Sequence, residues 1–137
     1  MIKKNKGETN TAKALNLTNE YILQLENGMR PKEMGVPKVI LTITDGRSSE
    51  PEATLAYARA LKKREFNMIS VGVGADIALD ELFELSTTSN NQFFVEDFTK
   101  IVDIIVELTY ASCRMKTSIQ DNLKVERHRF PKFEPLC

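Results

Sequence analysis

Residues 37–46 read PKVILTITDG, an apolar run that ends abruptly in an acid and a glycine. Val39, Ile40, Leu41 and Ile43 form the pattern of a strand buried on both faces, as in the centre of a parallel sheet. Such a strand delivers its last residues to the carboxyl edge of the sheet, where open α/β folds bind ligands. Asp45 falls at that edge with Thr44 beside it. A carboxylate there is either a ligand for a hard cation or a cap for the loop.

The rest of the chain alternates between helical and strand patterns. Residues 11–25 carry an apolar stripe of Ala14, Leu15, Ile22 and Leu25, widened by Ala12, Leu17 and Tyr21. Thr9 or Thr11 is placed to cap its start, and Asn27-Gly28 to stop it. After the 39–44 strand, Ser49 and Glu52 have capping-box spacing and Pro51 suits a first helical turn. The helix from Glu52 to about Arg64 presents Ala53, Leu55, Ala56, Ala60 and Leu61 inward. Its basic end, Lys62-Lys63-Arg64, favours the helix dipole and reads as solvated. FNMISVGV (66–73) is a second buried strand, followed by a short helix over 79–85. QFFV (92–95) is a third strand, and 98–110 a last amphipathic helix offering Ile101, Ile104, Ile105, Leu108 and Tyr110. This order implies parallel strands joined by right-handed crossovers. From Arg114 the pattern dissolves, and 114–137 reads as a linker or tail broken by Pro131 and Pro135.

Composition narrows the function classes. Lys plus Arg equals Asp plus Glu, 19 against 19, so no net field favours nucleic acid or a membrane surface. No apolar stretch is long enough to span a bilayer. The opening MIKKNKGETN is positive but lacks the apolar core of a secretory signal. Cys113 and Cys137 cannot hold a metal alone, and pair only in an oxidising compartment. His128 stands alone in the tail, so no Ser/His/Asp or Cys/His constellation can be assembled. Gly72-Val73-Gly74 imitates a dinucleotide fingerprint, yet the position that needs a third glycine is Ile77. Asn16-Leu17-Thr18 is an N-glycosylation sequon inside an expected helix.

Four segments together resemble one family. KGETNTAKALNLT is similar to the threonine loop and following helix of von Willebrand factor type A domains. GVPKVILTITDGRSSE resembles their aspartate loop and the strand before it. NMISVGVGADIALDELFELST and NNQFFVEDFTKIVDII resemble the strands and helices that follow. The likeness covers roughly residues 5–113 and is strongest to the extracellular-matrix branch, the collagens and matrilins. It implies a three-layer, doubly wound, Rossmann-like α/β fold with a mainly parallel sheet. It also implies a non-enzymatic adhesion module whose metal-ion-dependent adhesion site (MIDAS) holds Mg²⁺ at the sheet edge. By motif, the site's threonine falls on Thr9 and its aspartate on Asp45. Collagens or other matrix proteins are the implied partners, and the parent protein is expected outside the cell. Cys113 falls where matrix members of the family commonly carry a disulfide cysteine, and here is either unpaired or joined to Cys137 or to another chain.

The chain departs from the family in one respect: no D-x-S-x-S occurs in it. The family's first strands and helices have no counterpart, so a partial domain with an incomplete cation site is expected. The serines of DGRSS have the wrong spacing for ligands and read as caps. With its neighbour absent, the 39–44 strand is expected to carry an unpaired apolar edge that self-associates. Two other readings remain at this stage: an intracellular scaffold of the same fold that works without metal, and a nucleotide-dependent enzyme.

Overall fold

The computed structural model describes residues 7–113. The tail reading of 114–137, with His128 and Cys137, lies outside the described residues. Three strands, β1 (Val39–Thr44), β2 (Asn67–Val73) and β3 (Gln92–Val95), form one sheet in the order β1-β2-β3. Both pairings are parallel: Val39 to Thr44 lie beside Asn67 to Gly72, and Ser70 to Val73 beside Gln92 to Val95. Helices α1 (Thr11–Leu17), α2 (Pro51–Lys63), α3 (Leu79–Glu84) and α4 (Ile105–Cys113) fill the connections and flanks. The layering follows from alternation along the strands. Met68 points to one face and packs with Leu15, Ala58, Leu61, Phe66 and Leu85, joined by Ile40 of β1. Ile69, Val71 and Val73 point to the other and pack with Leu108 and Ala111 of α4. The architecture is helices, sheet, helix, as doubly wound folds require.

The apolar run of β1 does not occupy the centre of this sheet. Every residue of β2 is buried, whereas β1 alternates. Val39, Leu41 and Ile43 are 37%, 48% and 43% exposed on the α4 side. The reason is cover: on that face α4 packs against β2 and not β1, and among the described residues β1 pairs on one side only, with no further strand to extend the layer.

Several local expectations are corrected. The first helix does not run to Leu25. It passes into a π-turn at Thr18–Ile22 and a 3-10 turn at Leu25–Asn27, ended by Gly28 in the left-handed region (φ 94°). Arg64 holds the π-turn, donating to the carbonyls of Asn19 and Leu23, both at 2.8 Å. The buried face of α1 is Thr11, Ala12 and Leu15, while Ala14, Leu17, Tyr21, Ile22 and Leu25 are exposed. No threonine side chain caps its start. Pro51 does open α2, but Ser49 makes no capping box. The buried positions of α2 are Thr54, Ala58 and Leu61, and Ala56 faces out. The last helix starts as a 3-10 segment at Phe98–Ile104, with the Asp97 carboxylate accepting from the Thr99 amide at 2.7 Å, and Tyr110 is exposed.

The two glycines of Gly72-Val73-Gly74 have separate packing roles. A Cβ on Gly72 would stand 2.6 Å from Ile77 Cδ1 and 3.0 Å from Leu82 Cδ2, so α3 closes on bare backbone there. Gly74 has φ 86°, and its amide donates to the Val95 carbonyl at 2.9 Å. That conformation is natural for glycine alone.

Candidate functional site at the carboxyl edge of the sheet

β1 ends at Thr44, and the chain turns at once. The Thr44 hydroxyl donates to the Gly46 carbonyl at 3.0 Å, a local bond that short hydroxyl side chains make readily. This turn leaves Asp45 exposed at the tip. Gly46 faces the loop before α1, where a Cβ on it would lie 4.0 Å from Thr9 Oγ1. Backbone stitches the two loops together. The Thr9 carbonyl accepts from Ser49 N–H at 3.0 Å and from Thr11 N–H at 2.9 Å. Thr9 and the Asp45 loop, thirty-six residues apart in sequence, thus share one edge.

The serines of DGRSS act differently from each other. Ser48 is 4% exposed, and its hydroxyl pairs with that of Thr54 at 2.7 Å while accepting the Glu50 amide at 3.2 Å. Ser48 N–H donates to both oxygens of Glu81, each at 3.1 Å. Ser49 is exposed and contributes its amide to Thr9. Ser48 is therefore a buried hydrogen-bond hub that fastens the loop to α2 and α3.

Glu81 was not foreseen from the sequence. It is 5% exposed, and burial pushes its carboxyl above the ordinary glutamate value, against the opposing pull of the Ser48 amide and the Arg47 charge. A signal existed. Leu82 of α3 and the flanking Ala78 and Leu85 are buried, and Glu81 falls in helical phase with them. An acid in phase with an apolar stripe is a buried acid that needs a donor. Outside, Arg47 reaches Asp80 at 3.4 Å in an exposed ion pair of small energetic weight.

The edge offers a hydroxyl from Thr9 and a carboxylate from Asp45, both hard oxygens of the kind Mg²⁺ prefers. They fit in kind and fill at most a minority of an octahedral shell, so water or other oxygens must supply the rest. Among the described residues no three His, Cys, Asp or Glu side chains converge. The sequon residue Asn16 is half-buried on α1, and the Thr18 hydroxyl donates to the Ala14 carbonyl at 2.8 Å.

A parallel sheet with helices on both faces and polar loops gathered at the carboxyl ends of its strands defines a doubly wound α/β domain. More narrowly, the chain belongs to the von Willebrand factor type A domain family, whose model matches residues 1–107. It is 32% identical to the human collagen alpha-6(VI) chain over 108 residues, covering 78% of this chain and 5% of that one. It is 32% identical to chicken matrilin-1 over 126 residues, 86% of this chain and 24% of matrilin-1. Proximal thread matrix protein 1 from the mussel byssus, solved with a zinc-occupied MIDAS motif, superposes with a TM-score of 0.75 at 21% identity. That match covers 82% of this chain and 28% of the mussel protein, and carries the fold alone. The chain thus spans a small part of each relative's length.

Proposed function

We propose that this chain is a non-enzymatic protein-docking module of an extracellular-matrix protein, binding its partner at the edge formed by Thr9 and Asp45. The observation that carries this reading is the bond from Ser49 N–H to the Thr9 carbonyl, which brings the two loops to one opening. The collagen and matrilin relatives favour a matrix partner, such as a collagen, and a place outside the cell. No described helix is long and apolar enough to cross a membrane.

Thr9 and Asp45 are the residues that would hold Mg²⁺. When bound, the cation supplies a Lewis-acidic position that a partner's carboxylate can complete. The chain's own part is to orient those two oxygens outward. With so few protein donors, cation binding by this chain alone is weak, and the site is completed by oxygens from elsewhere. A metal-free scaffold is the second reading, favoured by the same shortage of donors. Cys113, the last residue of α4, is the proposed point of disulfide attachment to another cysteine.

Binding of the chain to immobilised fibrillar collagen, in Mg²⁺ and in EDTA, tests the proposal. Asp45→Ala and Thr9→Ala should each weaken binding about tenfold or more, while the distant Lys63→Ala should not. Equal binding by Asp45→Ala would refute the docking edge. Loss in EDTA favours the cation; retention favours the metal-free scaffold.

A further inference from the structure

The edge has a feature its ligand chemistry does not explain: a buried carboxylate that, among the described residues, no cationic side chain contacts directly. Glu81 lies on the inner face of α3, in phase with the buried Leu82 and with Ala78 and Leu85 at the helix ends. A leucine would suit that position better by apolar burial alone. A charge is retained there only at a cost unless donors meet it. Its one hydrogen-bond donor among the described residues is Ser48 N–H, which spans both carboxylate oxygens at 3.1 Å.

Consecutive amides then point to different anchors. Ser48 N–H goes to Glu81 on α3, and Ser49 N–H goes to the Thr9 carbonyl ahead of α1. The loop carrying Asp45 is clamped between the two. Moving Ser48 away from Glu81 must also move Ser49, and with it the spacing between Thr9 and Gly46.

We infer that Glu81 is the positioning residue of this edge: its carboxylate, by fixing Ser48, sets the distance between Thr9 and Asp45 at which one ligand meets both. This rests on the proposed reading of the edge as a binding site. The charged groups that face Glu81 are Arg47 of the loop and Asp80 of α3; burial raises its proton affinity, and Ser48 and Arg47 lower it.

Amide-resolved NMR on the full chain tests it. In the native chain the Ser48 amide should exchange about tenfold or more slowly than that of Arg47, and its shift should follow the titration of Glu81. Glu81→Leu keeps the packing and removes the acceptor. It should speed exchange at Ser48 and Ser49 by about tenfold while Ile69 and Val71 in β2 stay protected. Glu81→Gln, which keeps one acceptor oxygen, should restore much of that protection. Mn²⁺ is the probe of the edge: broadening at Asp45 and Gly46 should need severalfold more Mn²⁺ in Glu81→Leu, and Glu81→Gln should recover it. Unchanged exchange at Ser48 and Ser49 in Glu81→Leu would overturn the inference. So would a Ser48 shift that ignores carboxyl titration, a result that needs no variant. If the exchange pattern holds but Mn²⁺ broadens nothing near Asp45, Glu81 still fixes the loop, and the cation reading of the edge is the part that fails.

Discussion

β1 and β2 are two apolar strands of similar length that lie side by side in register, and they meet opposite fates. VILTIT leaves half of its side chains near half exposure, whereas NMISVGV is buried at every position. Their composition does not separate them; β1 has the denser run of β-branched and aliphatic residues. What separates them is the number of neighbours. β2 has a strand on each side, α2 and α3 against one face and α4 against the other. Among the described residues β1 has a strand on one side only; helices cover Ile40 on one face, while on the other α4 packs against β2 and leaves Val39, Leu41 and Ile43 open. Hydrophobic character makes a strand buriable, and the partners it meets decide whether it is buried.

The largest test of this contrast is truncation on each strand. Ile69→Ala, at a site with no exposure, should cost about 2–5 kcal/mol in urea unfolding, because it loses both transfer energy and packing. Ile43→Ala, at an exposed site, should cost under about 1 kcal/mol. Equal losses would mean that β1 is covered in solution. The same strand supplies an association test. Leu41→Lys should lower light scattering at high concentration with little change in stability, since edge charges blunt strand-to-strand pairing. A native chain that scatters as a monodisperse monomer would remove the liability assigned to β1.

Next in size is Gly72→Ala in β2. The added methyl meets Ile77 and Leu82, and Leu82 is buried too tightly to yield freely. A loss of about 1–3 kcal/mol is expected from overpacking. Smaller still, and of opposite sign, is Glu65→Gly in the turn that feeds β2. Glu65 has φ 64°, a conformation that terminates α2 and suits glycine. Its ion pair with Lys32 is exposed and contributes little. A gain of about 1 kcal/mol in thermal or urea unfolding is expected.

The smallest effect is on pH dependence. Glu81 holds its proton above the ordinary glutamate value of 4.5, chiefly through burial. The folded state then binds more protons than the unfolded one in that window, so stability falls as pH rises through the raised value. Glu84 is shifted the other way, chiefly by its hydrogen bond from Arg59. Its contribution is present above 4.5 and fades as pH falls through the depressed value. From these two groups stability should pass through a shallow maximum between the depressed value of Glu84 and the raised value of Glu81. In Glu81→Gln the decline on the alkaline side should vanish, which a urea midpoint series against pH would reveal.

Much of the fold was legible because period and punctuation agreed. β3 begins and ends where QFFV does, and α2 opens at Pro51. The edge assignment of Asp45 was equally local, since a strand that stops at an acid and a glycine must leave that acid in a loop. Less legible was which side of an amphipathic segment faces in. The stripe of residues 11–25 reads inward over Ala14, Ile22 and Leu25, yet all three are exposed; Arg64, far along the chain, ties Thr18–Ile22 into a π-turn that takes Ile22 and Leu25 off the helical phase of α1. Ser48 and Ser49 are adjacent and chemically identical, and nothing local says that one is buried on Thr54 and Glu81 while the other is exposed beside Thr9.

By itself, then, the sequence determined the kinds of element, their order, their parallel arrangement and the oxygen donors offered at the carboxyl edge. Those depend on backbone preference and on apolar spacing within a few residues. Tertiary structure alone decided that β2 rather than β1 sits at the centre, and that the loops of Thr9 and Asp45 share one edge through the Ser49 amide. It also decided that a carboxylate from α3 holds their loop. Each of these depends on which distant groups a residue meets, and a buried amide or acid accepts whatever partner the packed chain brings within reach.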